Sequence, residues 1–271
     1  MKYLFYFIFG VSLTANAQFN QKLIGEKLTL PPQTKIEETI CQIGKSFLGT
    51  PYEGGTLEGP EEKLVCKLDA FDCYTFVENV LAISLTKHSQ NPTFENYIDK
   101  LIRLRYRNGN IDGYTSRIHY FAEWAKLAQS QKILVDMTPA FGEKMIKPIN
   151  FMGTHRAYYP SFKTDNKIHA EVLQMEKKLE KYTFYYIKKE NFSTYEAGIK
   201  NGDIIAFTSN VAGLDVNHEG FAIWQNGKLK LMHASLEQKK VIISDETLLE
   251  YMNRIKKHSG VMVLRVNQPL G

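Results

Sequence analysis

The sequence has few of the residues on which metal centres and disulfide-stabilised folds depend. Its 271 residues include only three cysteines, Cys41, Cys66 and Cys73, and no C-x-x-C or H-E-x-x-H spacing occurs. The sequence therefore indicates no metal or other cofactor. An odd number of cysteines leaves at least one free thiol. A Cys41–Cys66 disulfide and two small core cysteines both remain open, because spacing does not fix connectivity.

An excess of charge of one sign is also lacking. Lys and Arg number 34 against 29 Asp and Glu, for a net charge of +5, and the lysines form only short doublets. A nucleic-acid-binding surface usually shows clustered basic residues, so we do not expect nucleic acid as a partner. Hydrophobic residues at 44% and charged residues at 23% are typical of globular proteins.

After the first residues, no apolar segment approaches the length of a membrane-spanning helix. The chain opens with MKYLFYFIFGVSLTANAQ, in which one lysine precedes a short apolar run that ends in an A-x-A site. We predict a signal peptide over residues 1–17 and an exported, periplasmic mature protein. Loss of Lys2 lowers the net charge from +5 to +4. No cysteine stands at the cleavage point, so we expect no stable membrane anchor.

Hydrophobic spacing predicts helices in the first half of the chain and strands in the second. Helical spacing occurs over residues 35–48, 73–86, 93–105 and 117–129. Short strands are predicted over residues 64–68, 203–208, 218–224, 228–233, 241–243 and 261–266. Residues 135–200 are mixed, with no clean period before 182–188. This order favours one α+β domain over residues 18–271, with an antiparallel sheet packed on helices.

Two histidines lie on opposite arms of a predicted β-hairpin, HEGFAIWQNGKLKLMHAS. Asn226-Gly227 is a strong type I′ turn signal, because both central residues of that turn need φ > 0. A two-residue loop pairs Gln225 with Lys228, and the same register sets Gly220 opposite His233 and His218 opposite Ser235. Period-two alternation then places both histidines on one face, near enough to hydrogen-bond.

Cys73 follows Asp72 at the start of a predicted helix. If Asp72 is the N-cap, Cys73 lies in the first turn, where backbone N–H groups and the helix dipole favour a thiolate. Such positions lower the pKa of a thiol, and the same N–H groups can receive an oxyanion. With His218 as base and His233 as its orienting partner, these residues fit a cysteine hydrolase.

Other interpretations of these residues stay open. Cys73 fits a buried residue at a helix start, and the two histidines fit a core pair or a metal site completed by Asp203 or Asp215. The remaining histidines are most simply surface or loop residues: His88, His155, His169 and His258.

Ordered sequence blocks resemble a known enzyme family. These blocks are Gly49-Thr50-Pro51-Tyr52 with Gly54-Gly55, Asp72-Cys73, Gly202-Asp203-Ile204-Ile205-Ala206-Phe207, His218, and His233-Ala234-Ser235. In this order they resemble the NlpC-type, papain-like cell-wall cysteine hydrolases. The resemblance implies a papain-like core with Cys73 as nucleophile, His218 as base, His233 as orienter and Tyr52 at the oxyanion site. The tryptophan usual beside the paired glycines is missing.

A narrower resemblance rests on residues 116–124 and 151–155, which are similar to the N-acetylmuramoyl-L-alanine amidase-like branch. That branch implies extra helices and cleavage of the muramoyl–L-alanine bond of muropeptides. Arg117, His119 and Tyr120 lie in the first stretch and are candidate substrate-binding residues. Because the apolar stripe of the predicted helix lies elsewhere, we expect Arg117 and His119 to project outward, where a guanidinium suits a peptide carboxylate.

The sequence thus predicts a peptidoglycan amidase that acts through a thioester on Cys73. Two alternatives are a D-glutamyl–diamino acid endopeptidase with the same catalytic residues and a catalytically silent muropeptide-binding module.

Overall fold

The computed structural model describes residue 18 and residues 20–269. The predicted signal peptide, residues 1–17, lies outside the described residues. Among the residues that the structure describes, no helix has the length and apolar character needed to cross a bilayer.

Four helices agree with the predicted ones: α1 (Ile36–Lys45), α2 (Cys73–Lys87), α3 (Phe94–Arg105) and α4 (Phe121–Ser130). The later helices are α5 (Phe151–Thr154), α6 (Asn166–Leu179), α7 (Phe192–Tyr195) and α8 (Leu248–Arg254). The strands are β1 (Leu134–Asp136), β2 (Glu143–Lys144), β3 (Tyr185–Lys188), β4 (Ile204–Ser209), β5 (Val216–Gln225), β6 (Lys228–Ser235), β7 (Lys240–Ile243) and β8 (His258–Val266).

The strands form an open sheet in the order β2-β3-β8-β4-β5-β6-β7, and β1 also pairs with β8. Every pairing is antiparallel. The predicted α+β class, with an antiparallel sheet and helices, is confirmed.

Helix α2 lies in the centre of the molecule. Every residue from Thr75 to Ile83 is buried, including the polar Glu78 and Asn79, so the helix packs on all sides. Phe76 of α2 packs edge-to-face on Phe221 of β5, with ring centroids 5.9 Å apart. This packing fixes the N-terminus of α2 relative to β5.

The opposite face of the sheet is covered by α8. Strand alternation sends Phe221 and Ile223 into the core beside α2, whereas Ala222 joins a second core with Leu248 and Met252 of α8. Strand β5 is therefore buried on both faces.

One predicted strand is wrong, and one predicted helix begins later than expected. Residues 64–68 form no strand, because side chains bind carbonyl groups that a strand would need: Asn20 donates to the Cys66 carbonyl at 2.7 Å, and Arg105 donates to that of Val65. The fourth helix begins at Phe121 rather than at residue 117, since the backbone is still extended at Tyr120.

Helix α6 lies in the stretch where no clean period was found. Its N-cap Asp165 accepts hydrogen bonds from the backbone N–H groups of Lys167 and Ile168. The helix buries a narrow stripe of Val172, Met175 and Leu179.

Cys41 and Cys66 are free thiols, so the disulfide alternative is wrong. Both pack against the core around α2 as small, partly buried residues. Cys66 Sγ lies 3.3 Å from the Tyr97 hydroxyl.

Candidate active site

The predicted hairpin forms with the expected turn. Asn226 and Gly227 have φ of 52° and 72°, and Gln225 pairs with Lys228. The continuous ladder runs from this pair to Phe221–Met232, so the predicted pairings of Gly220 with His233 and of His218 with Ser235 are not part of it.

The two imidazoles meet as predicted. Nε2 of His218 lies 2.6 Å from Nδ1 of His233, and the ring planes are 83° apart. Gly220 allows this approach, because a Cβ at that position would lie 2.8 Å from Cβ of His233 and 2.6 Å from the Met232 carbonyl oxygen. Real Cβ atoms do not tolerate such contacts, so residue 220 must be glycine here.

Burial keeps both histidines neutral at neutral pH. It lowers the pKa of His218 to about 4. It also lowers the pKa of His233 to about 2, with further lowering by the charges of His218 and Arg254. A neutral imidazole can accept a proton, so His218 is in the form that a general base requires.

Cys73 is the first residue of α2, and Asp72 is its N-cap as predicted. The Thr75 N–H donates to the Asp72 carboxylate at 2.8 Å, and the Asp72 N–H donates to the Thr75 hydroxyl at 3.0 Å. This reciprocal capping box fixes the direction in which α2 begins.

The thiol faces β5. Backbone N–H groups of Glu219 and Tyr74 donate toward the Cys73 sulfur, and Glu219 is the residue next to His218. The expected low pKa is wrong, however. Burial raises the pKa of the Cys73 thiol well above its ordinary value, and the carboxylates of Glu219 and Asp72 add to that effect. The cap and the backbone donors do not outweigh desolvation.

The Tyr52 loop runs beside the start of α2. The Tyr52 N–H donates to the Lys239 carbonyl at 2.9 Å, and the Glu53 N–H donates to the Phe71 carbonyl at 3.0 Å, which holds the loop next to Asp72. Burial, followed by the charge of a Cys73 thiolate, raises the pKa of Tyr52 to about 12. Tyr52 therefore keeps its proton and can donate a hydrogen bond.

Arg117 does not project outward, and that expectation is wrong. It precedes α4, is 6% exposed, and pairs with Glu58 at 2.8 Å and Glu62 at 3.1 Å. Its guanidinium also lies 5.1 Å from the ring centroid of Tyr114. With two carboxylates bound, Arg117 braces this loop and is not free for a peptide carboxylate.

The other two candidate substrate-binding residues, His119 and Tyr120, also make contacts within the protein. His119 stacks on Tyr114 with ring centroids 4.4 Å apart, and one of its ring nitrogens lies 2.9 Å from the Tyr114 carbonyl oxygen. Tyr120 is buried and donates to Glu176 at 2.7 Å. Both side chains therefore support the fold around α5 and α6.

Two residues of the site were not predicted. The ring of Tyr251, on α8, lies against both candidate histidines, with ring centroids 5.8 Å from His218 and 5.2 Å from His233. Glu219 is 4% exposed, and burial raises the pKa of its carboxyl group well above the usual range. Thr247 and Glu250 form a capping box that could have revealed α8. The contacts of Tyr251 have no sequence signal.

His258 was expected at the surface and is instead 4% exposed at the start of β8. Its ring stacks on Phe207 with centroids 4.5 Å apart, and burial lowers its pKa to about 3. We call His218, His233 and His258 the histidine cluster. The other predicted surface histidines, His88, His155 and His169, are half-buried and lie elsewhere.

The metal interpretation gains no support from the geometry. Among residues 20–269, no group of three or more His, Cys, Asp or Glu side chains converges to hold an ion. Asp203 pairs with Arg265 at 2.6 Å, and Asp215 accepts from the Ala122 N–H at 2.7 Å.

The chain matches known proteins over most of its length. Residues 42–261 match the sequence model of a family described as AmiA-like, N-acetylmuramoyl-L-alanine amidase-like. Among curated proteins, none matches this chain.

Solved structures are similar as well. A structure of an N-acetylmuramoyl-L-alanine amidase from Bacteroides uniformis is 35% identical, with a TM-score of 0.81, over 86% of this chain and 99% of that one. A structure titled "putative xylanase" from Bacteroides fragilis is 39% identical, with a TM-score of 0.77, over 83% and 99%. Protein LPG0564 from Legionella pneumophila, at 23% identity and a TM-score of 0.69 over 96% of both chains, shows the fold alone.

Proposed function

Because this chain belongs to the AmiA-like, N-acetylmuramoyl-L-alanine amidase-like family, we propose that it hydrolyses the amide bond between the muramoyl lactyl group and L-alanine in peptidoglycan fragments. One observation supports a Cys-His-His mechanism most strongly: His218 is hydrogen-bonded to His233 of the adjacent strand β6 and precedes Glu219, whose backbone N–H is directed at the Cys73 sulfur. No cofactor takes part in the proposed mechanism.

The hydrogen bond assigns a role to each ring nitrogen. His233 engages Nε2 of His218, so in the proposed mechanism Nδ1 of His218 is the atom that takes the thiol proton. To accept a proton at Nδ1, His218 must carry its own proton on Nε2 and donate it to Nδ1 of His233. His233 thus selects the reactive tautomer, as the third member of a catalytic triad does.

The pKa values favour general-base activation over a preformed ion pair. The resting thiol is protonated and the imidazole is neutral. As the Cys73 sulfur bonds to the lactyl carbonyl carbon, its proton moves to His218. Tyr52 and the first-turn N–H groups of α2 stabilise the oxyanion. The C–N bond then breaks as His218 protonates the leaving amine of L-alanine, and a thioester remains.

Water completes the reaction. It gives a proton to His218 and attacks the thioester, the C–S bond breaks, and the proton returns to the Cys73 sulfur. The products are the free muramoyl carboxylate and a peptide that begins with L-alanine. Proton transfer of this kind typically contributes ~10²–10⁴-fold to the rate.

We further infer that α2 and β4–β6 correspond to a papain-like, NlpC-type core, with Cys73 at a helix start and His218 and His233 on adjacent strands. Cleavage after residue 17 and export to the periplasm fit a peptidoglycan substrate, and both remain proposals.

The test is digestion of a defined muropeptide, with the products identified by mass spectrometry. We expect the wild-type protein to release an intact peptide beginning with L-alanine and Cys73→Ala to release none. Cys41→Ala is the matched control, because that thiol packs against the core on α1, and it should act like the wild type. Undiminished cleavage by Cys73→Ala would refute the mechanism.

The same digest separates the alternatives. Products that retain L-Ala–D-Glu on the muramic acid would identify a D-glutamyl–diamino acid endopeptidase. Binding without cleavage by the wild type would identify a silent module. Xylan is the control substrate, since the similar Bacteroides fragilis structure is described as a "putative xylanase". Glycoside hydrolysis needs two carboxyl groups flanking the scissile bond and does not depend on a thiol.

A further inference from the structure

The aromatic rings around His218 are the feature from which we draw a further inference. Phe207 of β4 lies on one side, with ring centroids 6.0 Å apart and planes 27° apart. Tyr251 of α8 lies 5.8 Å away at 40°. The two rings also contact each other, 5.2 Å apart, and Tyr251 is 7% exposed.

We propose that Tyr251 is a positioning residue for the catalytic base, whose aromatic ring orients His218 against His233 and stabilises the imidazolium that forms during catalysis. The inference rests on the proposed function. A cation within about 6 Å of an aromatic centroid is attracted to the ring, and the attraction grows when water is excluded. The distance condition holds for His218 and Tyr251, whose ring centroids are 5.8 Å apart, and Tyr251 itself is 7% exposed.

Such a group is needed because burial opposes the charged imidazole. The pKa of His218 is lowered by desolvation, with no compensating carboxylate among its causes. His233 accepts its hydrogen bond but carries no charge. The ring of Tyr251 supplies an attraction that neither of these provides.

Tyr251 also lies near the nucleophile. Burial, followed by the charge of a Cys73 thiolate, raises the pKa of Tyr251. One ring is therefore close to the sulfur and to both imidazoles, although it comes from an element more than 170 residues downstream of Cys73.

Arg254 also contacts the aromatic ring of Tyr251. Its guanidinium lies 5.5 Å from the Tyr251 centroid and pairs with Glu237 at 3.0 Å and Glu246 at 2.6 Å. The titratable and charged groups on the elements packed around His218 are Glu219 beside it on β5, Cys73 from α2, His233 from β6, His258 from β8, and Tyr251 and Arg254 from α8.

The test compares Tyr251→Phe with Tyr251→Leu. Phenylalanine keeps the ring, so we expect kcat close to wild type. Leucine removes it, so we expect kcat to fall about 2- to 30-fold, the range of a cation–π contact, with KM unchanged. The acid limb of the pH–kcat profile should move to lower pH in Tyr251→Leu alone, because loss of the ring disfavours the protonated base.

Tyr195→Leu is the matched control, since this tyrosine packs against the same core and pairs with Phe141 instead of a histidine. Tyr251→Met, which fills space with a flexible apolar chain, replaces the leucine variant if that one fails to fold. NMR titration of the His218 ring in a Cys73→Ala background gives its pKa without any need for activity.

The outcomes are separable. If Tyr251→Phe loses as much activity as Tyr251→Leu, or if the acid limb stays in place or moves to higher pH, the inference is wrong while the amidase proposal stands. If Cys73→Ala keeps its activity, the proposed Cys-His-His mechanism fails. The NMR titration then still decides whether Tyr251 raises the pKa of His218.

Discussion

Replacing His233 by phenylalanine tests the hydrogen bond on which the proposed mechanism depends. The substitution keeps a ring in a position that is 1% exposed, and it removes the acceptor 2.6 Å from Nε2 of His218. Nε2 is then left without a partner, and the tautomer of His218 is no longer selected.

The expected loss of kcat follows from the charge that His218 carries in the resting enzyme and in the transition state. In the transition state the lost bond is to a charged group, which is worth about 1.5–3 kcal/mol. The resting enzyme also loses a neutral bond worth about 0.5–1.5 kcal/mol, so the difference is about 1–1.5 kcal/mol and we expect kcat to fall about 5- to 13-fold. In the resting enzyme, an unsatisfied buried donor costs about 1–3 kcal/mol of stability. For a chain of this size, each kcal/mol lowers Tm by about 2–4 °C.

The assay is steady-state muropeptide hydrolysis together with thermal unfolding. His233→Asn should recover part of kcat, because its amide oxygen offers an acceptor on a short side chain. His258→Phe is the control, since it makes the same substitution in the histidine cluster but leaves the His218–His233 bond in place. If His233→Phe and His258→Phe lose activity equally, the selection of a tautomer by His233 is refuted.

Further predictions concern the loop, the buried ion pair, the helix cap and pH. Tyr52→Phe should lower kcat by about 10²–10³-fold if its hydroxyl is an oxyanion donor, and an unchanged kcat in single-turnover assays would remove it from that role. Arg105 and Glu78 are both buried and lie 2.7 Å apart. Arg105→Met should cost about 3–5 kcal/mol in urea unfolding, and a loss below about 1 kcal/mol would contradict this. Asp72→Ala should cost about 0.5–2 kcal/mol, and Asp72→Asn much less, in the same assay. Between pH 6.5 and 4 the unfolded chain binds protons that the histidine cluster, with pKa values of about 4 or lower, does not bind. The histidine cluster should therefore make its full contribution to the free energy of unfolding above pH 6.5. That free energy should fall as the pH drops, by up to ~1.4 kcal/mol per histidine and pH unit. His258→Phe should show a shallower slope, which is the check.

Local rules were sufficient where a residue depends on its immediate neighbours in sequence. The Asn226-Gly227 turn set the register of β5 and β6, and the Asp72 cap set the start of α2, because turn and cap chemistry act within a few residues. The sequence alone therefore predicted the His218–His233 pair, four of the helices and the antiparallel sheet.

Tertiary packing decided what local rules could not. Whether Arg117 faces solvent depends on Glu58 and Glu62, which lie more than 50 residues away in the chain. The pKa of Cys73 follows from its burial against β5, which outweighs the helix start that the sequence shows. Tyr251 reaches the histidines because α8 packs on the sheet face opposite α2. Desolvation and contacts between distant segments exist only once the chain has folded, so no local pattern records them.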